Sequence, residues 1–295
     1  MVIAKIAPLY YNSPMDWRIL GHQWAVELLA EHAAHGGLRH AYLFTGPSGV
    51  GRRTLALRFA QALNCTNPPQ PGQPCGTCRD CTQTNRMQHP DLAILQAETE
   101  GATLKIEQVR ELQRTLSLAP YQGRRRVALL LRFQEASLGT QNALLKTLEE
   151  APQKVVLLLT ADAPESLLPT IVSRCEVLRL RPLALERLAE ALVERWQASP
   201  TEARRLAHLA GGRTGYAVRL LGNPDEVEQL QTWLEDLRRL LGATRRERFS
   251  YAEQFSKERD SERNRDKLRR ALQAWLGFWR DVLLCCAGAG APLTN

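Results

Sequence analysis

Gly46-Pro-Ser-Gly-Val-Gly51-Arg52-Arg53-Thr54 sits between the apolar run Ala41-Tyr-Leu-Phe44 and a segment, Arg52 to Leu63, that puts Leu55, Phe59 and Leu63 on one helical face. A buried strand, a glycine-rich turn and a helix in that order are the setting of a phosphate-binding loop. The working pattern is G-x4-G-K-[ST]: the lysine reaches the β- and γ-phosphates and the hydroxyl holds magnesium. Gly46, Gly49 and Gly51 are in place, but Arg52 stands at the lysine position and Arg53 at the hydroxyl position. Arginine is a planar fork and lysine a compact point charge, so the first change is not conservative. The second is worse, because a cation repels the metal it should ligate. Thr54 comes one residue too late, about 100° further round the helix. The turn is predicted to remain as a turn and to lose hydrolysis.

The alternation continues on both sides. Trp24 to Ala34 reads as a helix stopped by Gly36-Gly37, Asp91 to Leu95 as a strand, and Ile106 to Leu118 as a helix with Val109, Leu112 and Leu116 inward. Val127 to Leu131 reads as a strand covered on both faces, and Gln141 to Glu150 as a helix left at Pro152. Val155 to Leu159 and Val177 to Leu180 are two further strands. Strands alternating with helices imply an α/β fold with a mainly parallel sheet. The second half of a nucleotide site would be an Asp-Glu pair after Val127-Ala-Leu-Leu-Leu131, one for magnesium and one for the attacking water. Leu131 and Arg132 stand there instead, with Glu135 several residues on and placed on the next helix. Two independent halves of the chemistry are missing, so an inactive site is the better explanation.

After Pro182 the pattern is helical only. Leu183 to Leu221 forms a small unit, Gly222-Asn223-Pro224 a boundary turn, and Glu226 onward a second helical unit rich in arginine and tryptophan. The predicted domains are 1–181, 182–222 and 223–295, with 287–295 frayed. Within the last unit, Arg238 to Arg270 reads as a solvated face interspersed with Glu247, Glu253 and Glu262. Trp233, Trp275, Phe278 and Trp279 read as packing residues.

Composition is ordinary for a soluble globular chain: 295 residues, 44% hydrophobic and 24% charged. No stretch approaches the ~20 apolar residues of a membrane span, and Met1 to Pro8 lacks the apolar core and cleavage site of a secretory leader. A cytoplasmic location is expected. The net charge of +8 favours acidic partners, nucleic acid among them, only weakly. Four of the seven cysteines form Cys65-x9-Cys75-x2-Cys78-x2-Cys81. In a cytosolic chain that spacing suits one tetrahedral zinc rather than disulfides. Gly72 and Gly76 permit tight turns, while Pro68, Pro69, Pro71 and Pro74 exclude regular structure, so the module reads as a loop insertion pinned by metal. Four thiolates leave no position for water, so the zinc is expected to be structural.

Four segments then point one way. These are Arg39-His-Ala-Tyr-Leu-Phe-Thr-Gly-Pro47, the cysteine module, Gln141-Asn-Ala-Leu-Leu-Lys-Thr-Leu-Glu-Glu-Ala-Pro152 and Leu168-Pro-Thr-Ile-Val-Ser-Arg-Cys175. In order and spacing they resemble bacterial clamp-loader subunits of the AAA+ family, strongly over about the first 180 residues and thinly beyond. The resemblance implies an AAA+ α/β domain, a small helical lid at 182–222 and an all-α collar at 223–295 that packs against other subunits. Motor subunits of the gamma or tau kind keep an intact loop and Asp-Glu pair. This sequence departs from them at Arg52, Arg53, Leu131 and Arg132, and Gly215 of Gly211-Gly-Arg-Thr-Gly215-Tyr-Ala-Val falls where motors carry an arginine.

The implied protein is a non-motor subunit of the DNA polymerase III clamp loader. It has no ATPase activity of its own and binds ATP with magnesium weakly or not at all. Its partners are gamma/tau motor subunits, the delta wrench subunit, the sliding clamp and, through the assembled complex, primed DNA. Ser173-Arg174-Cys175 follows a segment with a helix-breaking Pro169, and the resemblance makes Arg174, flanked by Ser173 and Cys175, an arginine finger that reaches a neighbouring subunit's ATP. The plain alternative for Arg174 is a surface salt bridge. Two other readings stand beside the whole: a motor subunit with unusual substitutions, and a zinc-dependent DNA-binding protein on an AAA+ scaffold.

Overall fold

In the computed structural model, which describes residues 17–99, 101–256 and 261–288, β1 (Ala41–Thr45) is buried along its whole length. Its alternate side chains feed two cores: Tyr42 and Phe44 face one, Ala41 and Leu43 the other. Beside it lie β2 (Leu92–Leu95), β3 (Arg126–Leu130), β4 (Val155–Ala161) and β5 (Glu176–Arg179). All pairings are parallel, in the order β2-β3-β4-β1-β5. One core is closed by α1 (Gln23–His35) and α2 (Arg52–Asn64) through Val26, Leu29, Leu55, Phe59 and Leu63. After α3 (Arg79–Asn85), the other core is closed by α4 (Ile106–Leu116) and α5 (Leu138–Glu149) through Val109, Leu112, Leu116, Leu144 and Leu148. Phe59 is fully buried, edge-on to Tyr42 at 4.9 Å and stacked with Trp17 at 6.2 Å.

Four details differ from the sequence reading. The cysteine module is not all loop: its last three residues, 79–81, begin α3, whose N-cap Cys78 accepts the Cys81 N–H at 3.4 Å. The prolines end at Pro74 and leave that helix free to form. Pro169 does not break a helix but opens one, α6 (Pro169–Val172), at the first-turn position where its missing N–H is no loss. Helix α5 starts at Leu138 because Ser137 Oγ accepts the Thr140 N–H at 3.2 Å. Glu135 lies on a 3-10 turn, Phe133–Glu135, ahead of α5 rather than on it.

These elements belong to a first compact unit, Met1–Arg181; the second is Pro182–Asn295. The second contains α7 (Leu185–Trp196), α8 (Pro200–Leu209), α9 (Thr214–Leu221), α10 (Pro224–Leu241), α11 (Arg245–Ser256) and α12 (Ser261–Cys286). Between α8 and α9, a Cβ on Gly212 would come 2.1 Å from Leu183 O, and its φ of +76° already requires glycine. Trp233 is buried and accepts a 2.8 Å bond from Trp275 Nε1 on its carbonyl. Phe278 is half-buried, edge-on to Trp279. Trp279 packs only in part, being 47% exposed. No helix among the described residues is long and apolar enough to cross a membrane. The expectations for Met1 to Pro8, for the Glu262 side chain and for 289–295 lie outside the described residues.

Phe59→Ala should destabilise the first unit by about 3–5 kcal/mol, the range for an aromatic deleted from a tight core. Leu138→Ala, at a 68% exposed position, should stay within about 0.5 kcal/mol. Urea unfolding followed by tryptophan fluorescence makes the comparison, and equal losses would contradict this core.

Candidate functional site

The chain leaves α2 at Cys65 and turns back into α3, bringing the sulfurs of Cys65, Cys75, Cys78 and Cys81 within 4.8 Å of one another. Zinc–thiolate bonds of about 2.3 Å set tetrahedral sulfurs about 3.8 Å apart, and the Cys75–Cys81 separation is 3.9 Å. Backbone N–H groups point at the sulfurs: Cys75 to Cys65 at 3.4 Å and Cys78 to Cys75 at 3.2 Å. Burial pushes the Cys75 thiol up, but the Cys78 and Thr77 donors outweigh it and lower it to about 6. Cys78 is lowered by the same balance, with donors from Cys81 and Thr66. Burial raises Cys65 and Cys81. A soft dication is what would let all four act as thiolates together, so the donor set fits zinc. Gly72 lets the module lie on α1, since a Cβ there would come 2.2 Å from Ala30 O.

Beneath the module lies a buried polar network that the sequence reading missed. Asp91, fully buried, accepts N–H bonds from Tyr121 (2.6 Å), Gln122 (2.8 Å) and Gly123 (2.7 Å), and a 3.2 Å bond from Arg126 Nη2. Its own N–H donates to His89 Nδ1, and His89 Nε2 faces Asp80 Oδ1 at 3.2 Å. Asp80 neighbours Cys81 in sequence, and Gln61 Nε2 donates to Cys81 O at 2.6 Å. His89-Pro-Asp91 before a strand was the available signal.

In the phosphate loop Gly46, Gly49 and Gly51 have φ of +139°, +83° and +114°. A Cβ on Gly46 would come 2.4 Å from Leu180 O. The turn therefore keeps its form, while its side chains do something else. Arg52 reaches Asp162 at the end of β4, Nη2 to Oδ1 2.7 Å, with its own side chain only 9% exposed. Its Nη1 is buried without a hydrogen-bond partner among the described residues. Arg53 points to Met87 Sδ at 2.8 Å, and Thr54 is exposed. Leu131 is buried in the core on the α1–α2 face of the sheet. Arg132 takes a left-handed φ of +50° and binds both Glu135 oxygens at 3.0 Å. Glu135 also accepts the Gly101 N–H at 2.8 Å. Asp162, a carboxylate beside the loop, was not picked out from the sequence; its position just past an apolar strand was the only clue.

Arg174 follows α6. Its Nη1 donates to Thr170 O at 2.9 Å and its Nη2 meets Glu149 Oε1 at 2.6 Å. Ser173 Oγ also donates to Thr170 O, at 3.2 Å. Burial pushes the Cys175 thiol up to about 12, so it is an inert neighbour. In the isolated chain Arg174 thus forms the surface ion pair of the plain alternative, one third exposed. Gly215 lies in the first turn of α9, where Arg213 and Arg219 stand 4.5 and 4.8 Å from the Tyr216 ring centre.

The family described as DNA polymerase III, delta subunit, matches residues 21–184. DNA polymerase III subunit delta' of Pseudomonas aeruginosa is 36% identical over 226 residues, covering 75% of this chain and 67% of the relative. Subunit delta' of Bacillus subtilis is 31% identical over 203 residues, covering 69% and 60%. Subunit tau of Escherichia coli is 35% identical over 174 residues, covering 59% of this chain but 26% of its own length. The match to tau is thus confined to a quarter of a longer protein, whereas the matches to delta' cover 67% and 60% of those relatives. The chain belongs to the DNA polymerase III delta' family.

Proposed function

We propose that the chain is the delta' subunit of a clamp-loader complex, without ATPase activity, that helps load the sliding clamp onto primed DNA. One observation carries the reading: Arg52 has turned from the loop onto Asp162 while Leu131 and Arg132 stand where metal and water carboxylates are needed. The ATP would be hydrolysed on gamma/tau neighbours, with Arg174 supplying positive charge to the γ-phosphate across the interface, an effect of about three to five orders of magnitude in rate. The delta subunit and the clamp complete the assembly, which works in the cytoplasm.

On this reading residues 1–181 are the AAA+ domain, 182–222 a lid and 223–295 a collar. Leu268, Leu272, Leu276, Trp279 and Leu283 support the collar: they recur every three or four residues on α12 and are 41% to 71% exposed. Such a stripe is what a helix presents to partner helices. Zinc would be held by Cys65, Cys75, Cys78 and Cys81 and would supply folding energy, since four thiolates leave it no open position.

Elemental analysis of protein purified without chelator should give about one zinc per chain; none, with all seven thiols titrating freely, would refute the site. The isolated protein should release no phosphate from ATP, and Arg52→Lys with Arg53→Thr should not restore turnover, because Leu131 and Arg132 remain. Motor-like turnover by that double variant would contradict the reading. In reconstituted complexes Arg174→Ala should lower total ATPase partially and clamp loading more, with little rescue by Arg174→Lys. Its effect on stability should stay near the ~0–1 kcal/mol of an exposed ion pair. Unchanged ATPase and loading would return Arg174 to a surface role.

A further inference from the structure

We propose that metal in the four-cysteine site fixes the surface loop between α4 and β3, residues 117–125, and that Asn64, Asp80 and Gln122 are the positioning residues that couple the two. The proposal rests on the zinc reading above and goes beyond it, from where a metal is held to what its presence does elsewhere. The first observation is the place of the contacts. Asn64 closes α2 and immediately precedes Cys65. Its side chain makes a paired bond to the loop: Nδ2 donates to Arg125 O and Oδ1 accepts the Arg125 N–H, both at 2.9 Å. Asp80 lies in the first turn of α3 and immediately precedes Cys81. Its Oδ1 accepts from Gln122 Nε2 at 2.8 Å, and the same amide reaches Gln83 Oε1 at 3.1 Å. The loop is therefore gripped at two points, each next in sequence to a cysteine, and those two cysteines stand at opposite ends of the module.

The second observation is how tightly these parts meet. Asn64 and Asp80 are both buried. A Cβ on Gly123 would come 2.9 Å from Asn64 Cγ, so the loop backbone lies directly on the residue before Cys65. A shift of either helix end therefore has to move the loop or break its bonds. The module, by contrast, has little packing to hold it closed: residues 66–71 are exposed in succession. Bringing Cys65 and Cys81 together is work for a metal ion, whose binding energy becomes folding energy in such an insertion. Holding those cysteines also holds Asn64 and Asp80 at the spacing the loop requires.

Asp91 sets the size of the effect. It ties residues 121–123 to the start of β2 whether or not metal is present. Loss of metal should therefore loosen the loop rather than unfold the sheet. The loop carries Leu118 and Tyr121, 62% and 82% exposed, beside an exposed Arg124. The geometry of that outer surface thereby follows the state of the metal site.

The test compares the full-length, zinc-loaded protein with its metal-stripped form. Hydrogen exchange read by mass spectrometry should show the amides of 117–125 exchanging about tenfold faster without zinc, while β4, inside the sheet, keeps its protection. Coupling is reciprocal, so the loop must also act on the metal. Zinc affinity, measured by competition with a chromophoric chelator, should fall about fivefold in Gln122→Ala, the scale of one or two hydrogen bonds. Asn64→Ala should lower it about tenfold or more, the scale for a group that holds a metal ligand in place. Neither residue touches the metal, so a role confined to the loop would leave both affinities unmoved. Weaker zinc binding in either folded variant supports the coupling. Unchanged affinity in both, or loop exchange that does not depend on zinc, would overturn it. If the stripped protein unfolds as a whole and β4 loses protection too, the two affinities decide alone. If Asn64→Ala does not fold, the exposed Gln122→Ala decides: wild-type affinity there refutes the proposal. Full zinc occupancy with an unmoved loop sinks this proposal only, whereas failure to bind zinc sinks the metal reading along with it.

Discussion

A carboxylate with no exposure to water, Asp91, sets the terms for one whole edge of the first unit. An ionised group there is tolerable only if nearly every lone pair is met. Three successive backbone N–H groups, at 121, 122 and 123, meet them together with Arg126. Burial pushes the Asp91 carboxyl up, but these donors outweigh it and hold it below its ordinary value. The stability it contributes is therefore present above the ordinary carboxylate range and lost as pH falls through the depressed folded value. Arg126 is drawn in by the same need and also binds Thr115 O and Ala119 O, tying off the end of α4. Through His89 and Asp80 the network reaches the start of α3, which carries Cys81. The cysteine insertion and a sheet edge are thus one structure, because neither Asp91 nor Asp80 is satisfied by its own element.

The glycine loop holds its shape by contacts that need no nucleotide. Its form rests on glycine dihedrals, on the approach of Gly46 to Leu180, and on His22 Nε2, 3.1 Å from Val50 O. Burial lowers the pKa of His22, so the ring stays neutral and its Nε2–H donates to that carbonyl. None of these supports involves a phosphate or a metal. Hydrolysis, by contrast, needs a lysine, a hydroxyl and carboxylates in register, and those are the positions now taken by Arg52, Arg53, Leu131 and Arg132.

What the sequence made legible follows from the range of the forces involved. Apolar runs such as Val155 to Leu159 announce strands buried on both faces, and Leu55, Phe59 and Leu63 announce a helix face, because both signals are local periodicities. Cysteine spacing is nearly as local, and the four sulfurs do converge. Helix α3 was hidden because its cap is a cysteine, read for metal and not for its backbone acceptor role. Asp91, Asp162 and Glu149 were hidden for a different reason. Each is an ordinary surface-type residue until a partner 25 to 110 positions away in the chain gives it a role: Arg126, Arg52 and Arg174. Ion pairs of that range carry no local pattern.

That difference bears on Arg174. Its pairing with Glu149 at first favours a purely structural role. Yet both side chains are well exposed, at 34% and 50%, and exposed pairs contribute only about 0–1 kcal/mol. A contact so weak orients a guanidinium without locking it. A triphosphate carries more charge than a surface carboxylate and would attract such a guanidinium more strongly. Arg52 is the opposite case: its partner meets a side chain nine-tenths buried, anchored at the root of a helix. The exposed arginine is free to change partner, whereas the buried one is fixed in the frame. On the proposed function, a silent home site and an active reach into a neighbour would follow from that contrast in burial.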